Sequence, residues 1–296
     1  MRSWLTWLIV TMMLSVGMVA RAEVKIVSTI PDFGAIAKEV GGEHVSVTSM
    51  VRPTQDPHYV DAKPSLMIEL NKADMLLVAG MDLEAGWLPP LMTGARNGNV
   101  QRGGSGYLDC STLIPPMQVR SPDRSQGDIH PGGNPHYWTD PRNGVRLARG
   151  IAQRLAKIDP DNADAYKAGA DAFVRRLEGK MAEWRKRLEP HKGTKVVVYH
   201  ESWVYFLDFV GFVQAGELEP KPGIPPKPAH VAELIQRVQG QGIKYVVQES
   251  FYPTQLSRIF AQKSGAELKV LPTMVGAAGT SSYVQLIDRL VAELTN

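Results

Sequence analysis

Val24-Lys25-Ile26-Val27-Ser28-Thr29-Ile30-Pro31-Asp32-Phe33-Gly34-Ala35-Ile36-Ala37-Lys38-Glu39-Val40-Gly41-Gly42 decides how the rest of the chain is read. Residues 24–30 are rich in β-branched side chains, which pack well on a pleated surface, so they read as a strand. Pro31 suits the first position of a helix, where its missing N–H has no intrahelical partner to lose. Phe33, Ile36, Ala37 and Val40 recur at steps of three, one and three, giving one apolar face until Gly41-Gly42 ends the helix. The same grammar continues downstream. Residues 45–51 form a second expected strand, which empties into the proline-rich loop Arg52-Pro53-Thr54-Gln55-Asp56-Pro57-His58. Pro64-Ser65 opens a short helix through Leu66, Ile68 and Leu70. Residues 74–80 are apolar from Met75 onward, as expected of a parallel strand buried on both faces, and a helix is expected over 83–92. Strand and helix in alternation point to a parallel sheet with right-handed crossovers.

Residues 97–126 are rich in Gly, Ser and Pro and read as irregular. Asp140-Pro141 is a helix start, and Val145, Ala148, Ile151, Leu155 and Ile158 give that helix an apolar face. Asp159-Pro160 repeats the signal. Tyr166, Ala170, Phe173, Leu177, Met181, Trp184 and Leu188 then recur at steps of three or four until Pro190. Roughly 29 residues at about 1.5 Å each make a helix near 45 Å long, long enough to connect two lobes. The second half begins the strand–helix pattern again. Strands are expected over 194–200, 212–218, 244–249 and 268–271, and helices over 203–210, 229–239, 253–264 and 283–294, with a rigid proline loop at 221–227. The fold class is therefore α/β: two lobes, each with a mainly parallel sheet flanked by helices, joined by one long rigid linking helix. The division is an N-terminal lobe at 23–141, connecting helices at 142–190 and a C-terminal lobe at 191–296.

Residues 1–22 read as a secretory signal peptide: Arg2 is the positive start, 5–19 are apolar, and Ala20-Arg21-Ala22 is a small-x-small cleavage site. The apolar run is shorter than the roughly 20 residues that span a bilayer. Of 33 basic residues Arg2 and Arg21 belong to this leader, leaving 31 against 30 acidic ones, a balance that favours neither nucleic acid nor an anionic membrane surface. Cys110 is the single cysteine, so a metal would have to be held by His and carboxylate.

The histidines carry the chemistry. Residues 128–141 read Asp-Ile-His-Pro-Gly-Gly-Asn-Pro-His-Tyr-Trp-Thr-Asp-Pro, a loop stiffened by Pro131 and Pro135 that holds His130 and His136. Asp56-Pro57-His58-Tyr59 and Tyr199-His200-Glu201-Ser202-Trp203 echo it. In open α/β sheets ligands bind at the carboxyl ends of the strands. His58 lies past the second strand, His200 ends the first strand of lobe two, Glu249 ends a later one, and His136 precedes the connecting helices. These four are expected to meet in one cleft, a set suited to zinc. Glu249 has a second role open to it, as an acceptor that orients a histidine. Glu201 is the weaker carboxylate, pointing away from His200 if the strand continues. His130 is either a gating group at the mouth or an ordinary loop residue. His44, His191 and His230 have no such support. Tyr59, Trp138 and Trp203 are expected to keep the site dry.

With these residues in place the chain resembles the metal-specific, zinc/manganese type of periplasmic solute-binding proteins of ABC transporters. The resemblance runs through Asp56-Pro57-His58-Tyr59, Asn134-Pro135-His136-Tyr137-Trp138 with Asp140-Pro141, and His200-Glu201-Ser202-Trp203, and covers essentially the whole mature chain. It implies two α/β lobes, a rigid linking helix, a metal clamped between the lobes, and His58, His136 and His200 as ligands. It also implies a periplasmic monomer, not an enzyme, that delivers its ion to an inner-membrane permease. The family commonly supplies a fourth ligand as an aspartate after the last strand. Here that region reads Val270-Leu271-Pro272-Thr273-Met274-Val275-Gly276, without an acid, so Glu249 or water would complete the shell. The long histidine-rich loop of many zinc-binding relatives is also missing. Three imidazoles favour Zn2+ over the harder Mn2+, with Fe2+ a further candidate.

A rival reading is a secreted zinc hydrolase with three His ligands and Glu249 or Glu201 as general base. No His-Glu-x-x-His helix is present, which removes one large group of such enzymes.

Overall fold

The computed structural model describes residues 23–121, 123, 127 and 129–295; the expected leader at 1–22 and Asp128 lie outside the described residues. Two four-stranded parallel sheets form the two lobes. In the first, β1 (Val24–Ser28) lies between β2 (Val45–Ser49) and β3 (Met75–Val78), and β4 (Tyr107–Asp109) pairs with the outer side of β3. The second repeats the order, with β5 (Lys195–Val198) between β6 (Val213–Glu217) and β7 (Ile243–Glu249), and β8 (Glu267–Leu271) outside β7. A 2-1-3-4 order reverses direction at its first strand, so a crevice opens above the carboxyl ends of that strand and its neighbours.

The helices begin where proline allows. Pro31, Pro64, Pro141 and Pro228 each sit at the start of α1 (Pro31–Gly41), α2 (Pro64–Lys72), α4 (Pro141–Ile158) and α7 (Pro228–Val238), after residues in extended backbone. α3 (Leu88–Ala95), α6 (Val204–Val210), α8 (Gln255–Ser264) and α9 (Tyr283–Thr295) complete the shell.

α5 (Ala163–Leu188) is the expected connection, 26 residues of regular helix with a 3-10 turn at either end. It buries Tyr166, Phe173, Leu177, Trp184 and Leu188 on one side. Towards the first lobe, Arg176 pairs with Glu39 of α1, and Gly169 lies so close to α1 that a Cβ there would come within 2.2 Å of the Val40 carbonyl oxygen. Towards the second, Trp184 Nε1 donates to Asp288 Oδ1 of α9 at 2.6 Å. A helix packed into both lobes through one continuous apolar core is a poor hinge. Among the described residues no helix is long and apolar enough to cross a membrane.

Three boundaries differ from the sequence reading. β4 lies inside the stretch read as irregular: three residues among glycines leave too short an alternation to register. α3 begins at Leu88 rather than 83, because Met81 and Asp82 adopt left-handed backbone (φ 49° and 62°) and break the chain into turns first. β5 stops at Val198, two residues before His200, and residues Glu201–Trp203 form a 3-10 turn instead of extended strand. The alternation argument placing Glu201 opposite His200 therefore does not apply.

Candidate metal centre

His58, His136 and His200 arrive from three segments and meet. Their rings lie with centroids 5.0 Å (His58–His136), 5.4 Å (His58–His200) and 5.3 Å (His136–His200) apart. One nitrogen from each falls within 4.8 Å of the others, and all three residues are buried. Among the described residues this is the one such group of three or more potential metal-binding side chains.

The local sequence explains how two of these rings are aimed. In Asp56-Pro57-His58, Asp56 Oδ1 accepts both the His58 backbone N–H at 3.0 Å and its Nδ1 at 2.7 Å. In Asn134-Pro135-His136, Asn134 Oδ1 makes the same pair of contacts, each at 3.0 Å. With Nδ1 donating to an oxygen acceptor, Nε2 is left as the lone-pair nitrogen, which is the tautomer a metal needs. Trp87 Nε1 pins the first device by donating to the Pro57 carbonyl at 3.0 Å. The second is held from both lobes: Tyr137 donates to the Ala79 carbonyl at 2.7 Å and Trp138 Nε1 to the Thr273 carbonyl at 2.8 Å.

His200 has no acceptor two residues before it. Its Nδ1 instead meets Glu219 Oε2 at 2.7 Å, a residue just beyond β6. The Nε2 atoms of His58 and His200 are buried with no hydrogen-bond partner, as expected of nitrogens reserved for an ion. Sequence reasoning missed Glu219, although Glu217-Leu218-Glu219-Pro220 placed an acid beside a strand end. It also missed Tyr252, whose hydroxyl crosses the cleft to Asp56 Oδ2 at 3.1 Å and whose ring stacks on Tyr199 at 4.5 Å.

The three imidazoles differ in charge. Burial, reinforced by His58, His200 and His130, pushes His136 well below the ordinary histidine range, so it stays neutral. Burial also disfavours a charged His200, but the hydrogen bond to Glu219 and the fields of Glu219, Glu249 and Asp56 outweigh it and raise its pKa to about 9. Asp56 is pushed up by burial and pulled further down by His58, and ends below the usual carboxylate value.

Glu249 stands at the end of β7, fully buried, and neither of its oxygens has a partner in hydrogen-bonding geometry. Burial raises its pKa to about 7 against the opposing pull of His200 and Ser202. It is not in the mutually close set of three histidines. A buried carboxylate with little beside it but Ser202 is costly unless a cation lies near it. Glu201 is committed elsewhere, to Arg120 at 2.5 Å. His130 lies outside the trio, its ring centroid 5.4 Å from His58 and 6.4 Å from His136, with Nδ1 at 2.8 Å from the Met81 carbonyl oxygen. Trp138 and Trp203 are buried, as expected of residues that exclude water, but Tyr59 is 61% exposed and cannot seal the site. It lines the mouth instead, beside His58.

Comparison with known proteins agrees in extent. The sequence profile of a family described as the periplasmic component A of a zinc-uptake complex matches residues 26–296. The high-affinity zinc uptake system protein ZnuA of Paracoccus denitrificans is 26% identical, over 90% of each chain. The manganese-binding lipoprotein MntA of Halalkalibacterium halodurans is 24% identical over 90% of this chain and 86% of its own. In three dimensions, a crystal structure of a ZnuA deletion mutant with zinc bound superposes with a TM-score of 0.77 at 26% identity, covering 93% of this chain and 97% of the other.

Proposed function

The chain belongs to the family of periplasmic zinc-uptake component A proteins, and we propose that it captures zinc between its lobes and passes it to an inner-membrane permease. It is a metal-binding component of a metal ABC transporter. The observation that carries the zinc reading is the convergence of three imidazoles, each with Nδ1 held by an oxygen acceptor. Nitrogen-rich sites of this kind suit zinc, whereas manganese favours more oxygen. Residues 270–276 add no acid to the set.

In this reading His58, His136 and His200 hold the ion through Nε2, at zinc–nitrogen distances of about 2.0–2.1 Å. Glu249 supplies the fourth ligand or meets the ion through water; its buried, unsatisfied oxygens support a role beside a cation. The lobes are residues 23–141 and 191–296, and the helices between them hold their separation nearly constant. Residues 1–22 direct export to the periplasm, where the protein works as a monomer. A hydrolase reading gains no support from relatives named for metal uptake or metal binding.

Calorimetric titration of zinc into the wild type and into His136→Ala and Glu249→Ala tests this. One ion per chain is expected. Structural zinc sites bind with about 10–16 kcal/mol over four ligands, so losing one histidine should weaken binding by roughly 10²- to 10³-fold. A loss of similar size in Glu249→Ala makes it a ligand; a loss of about tenfold places it behind water or another ligand. Two ions per chain, or unchanged affinity in His136→Ala, would overturn the reading.

A further inference from the structure

The first lobe contains a second cavity, of about 620 Å³, above the carboxyl ends of β3 and β4. None of the three metal-centre histidines lines it. Its volume is in the range of small-molecule sites, and it occupies the end of the sheet where open α/β folds bind ligands. One wall is apolar, made by the buried side chains of Leu88, Met92 and Ile114. Methionine in such a wall adapts to ligands of different shape.

The rest of the lining includes polar side chains of both signs of charge. Asp109 Oδ1 is occupied by the Ser111 backbone N–H at 3.0 Å and the Ser111 hydroxyl at 2.6 Å, while Oδ2 has no such partner among the described residues. The carboxylate is held against the end of β3 by Gly80, where any Cβ would come within 2.1 Å of Asp109 Oδ1. Gly80 is in left-handed backbone, φ 73°, which glycine alone adopts without strain. Beside it Glu84 has one oxygen taken by the Ala79 backbone N–H at 2.7 Å and the other by that of Gly80 at 3.1 Å, and burial raises its pKa to about 7, so it walls the cavity while Asp109 supplies the negative charge. Arg102 brings the one basic side chain of the lining. Burial pushes the Tyr107 phenol above its ordinary range, with Asp109 adding to this and Arg102 opposing it. A fixed acidic pole, a basic pole and an apolar wall within one cavity match a molecule that has all three features.

We propose that this cavity binds a zwitterionic amino acid with an apolar side chain. Its ammonium group lies against Asp109, its carboxylate against Arg102, and its side chain against Leu88, Met92 and Ile114. Arg102 can grip the carboxylate with two parallel N–H bonds, which Lys could not.

Ligand-observed saturation-transfer NMR on the zinc-loaded protein tests this with three probes of one shape: L-phenylalanine, phenethylamine, which lacks the carboxylate, and 3-phenylpropanoate, which lacks the ammonium. L-Phenylalanine should saturate. Each truncated probe should bind at least about tenfold more weakly, the usual effect of removing a hydrogen bond to a charged group. Asp109→Asn and Arg102→Gln should each weaken L-phenylalanine by a similar factor, and Met92→Trp should abolish binding by filling the cavity. Zinc titration of each variant checks that it is folded, since none of these residues belongs to the metal centre. Absence of saturable L-phenylalanine binding would overturn the proposal. So would equal affinity for the three probes, or unchanged affinity in both charge variants when their zinc binding is intact.

Discussion

Glu219→Gln separates proton from metal at His200. Glu219 accepts from His200 Nδ1 at 2.7 Å and, with Glu249 and Asp56, raises the imidazole to a pKa of about 9 in the metal-free fold. At pH 8 a group of pKa about 9 is roughly nine-tenths protonated. An arriving zinc ion must displace that proton, so binding should release about one proton per ion from this residue. Glu249, with a pKa of about 7, is by then about nine-tenths ionised and adds only about 0.1 proton. Replacing Glu219 by Gln keeps the volume and a hydrogen-bonding oxygen but removes the charge. Burial then pushes His200 down unopposed by its strongest partner, and proton release at pH 8 should fall well below one. The same charge makes Nε2 a better ligand. Its loss should weaken zinc about 10- to 100-fold once proton competition is nearly gone, above about pH 10, and by less at pH 7, where wild type also loses affinity to the proton. Zinc calorimetry in buffers of different ionisation enthalpy gives the proton count, and competition with a chromophoric chelator gives affinity against pH. Equal proton release by wild type and Glu219→Gln at pH 8, or a wild-type count near zero, would refute the argument.

Three further outcomes follow from the same coordinates. His200 and Glu249 both have raised pKa values in the metal-free fold, so their contributions to stability are complete below the unfolded values and are lost as pH rises through about 9 and about 7. The His200 shift alone corresponds to ~3 kcal/mol, so the melting temperature of zinc-free protein should fall between pH 6.5 and 9, and an unchanged or rising one would contradict it. Asn134→Ala removes the acceptor at His136 Nδ1 and should weaken zinc about 10- to 100-fold, whereas Asn134→Asp, which restores the arrangement seen at His58, should recover most of the loss in calorimetry. Gly169→Ala forces a methyl group against the Val40 carbonyl and should destabilise the protein by roughly 1–3 kcal/mol in urea unfolding, with zinc stoichiometry unchanged.

Much of this was present in local sequence. Strand–helix alternation and proline-opened helices announced two parallel sheets, because β-branched runs and three-to-four-residue periodicity act within one element. Asp56-Pro57-His58 and Asn134-Pro135-His136 carry their own orienting oxygens two residues before each histidine, a contact that the backbone brings together without help from the fold. His58 and His136 were therefore legible as prepared ligands. His200 was legible only as a histidine near a strand end. Its acceptor Glu219 lies 19 residues on, beside it only because β5 and β6 are neighbours in the sheet. The Tyr252–Asp56 bond spans 196 residues and depends on both lobes being docked on α5. β4 was hidden because three residues among glycines carry no periodicity, and among the described residues β3 supplies its only strand partner. Glu249 was read as an acid at a strand end, but its complete burial follows from the packing of the second lobe. Interactions within a few residues are set by chain geometry. Those that set the charge on His200 and isolate Glu249 depend on strand order and lobe docking, which only the tertiary structure decides.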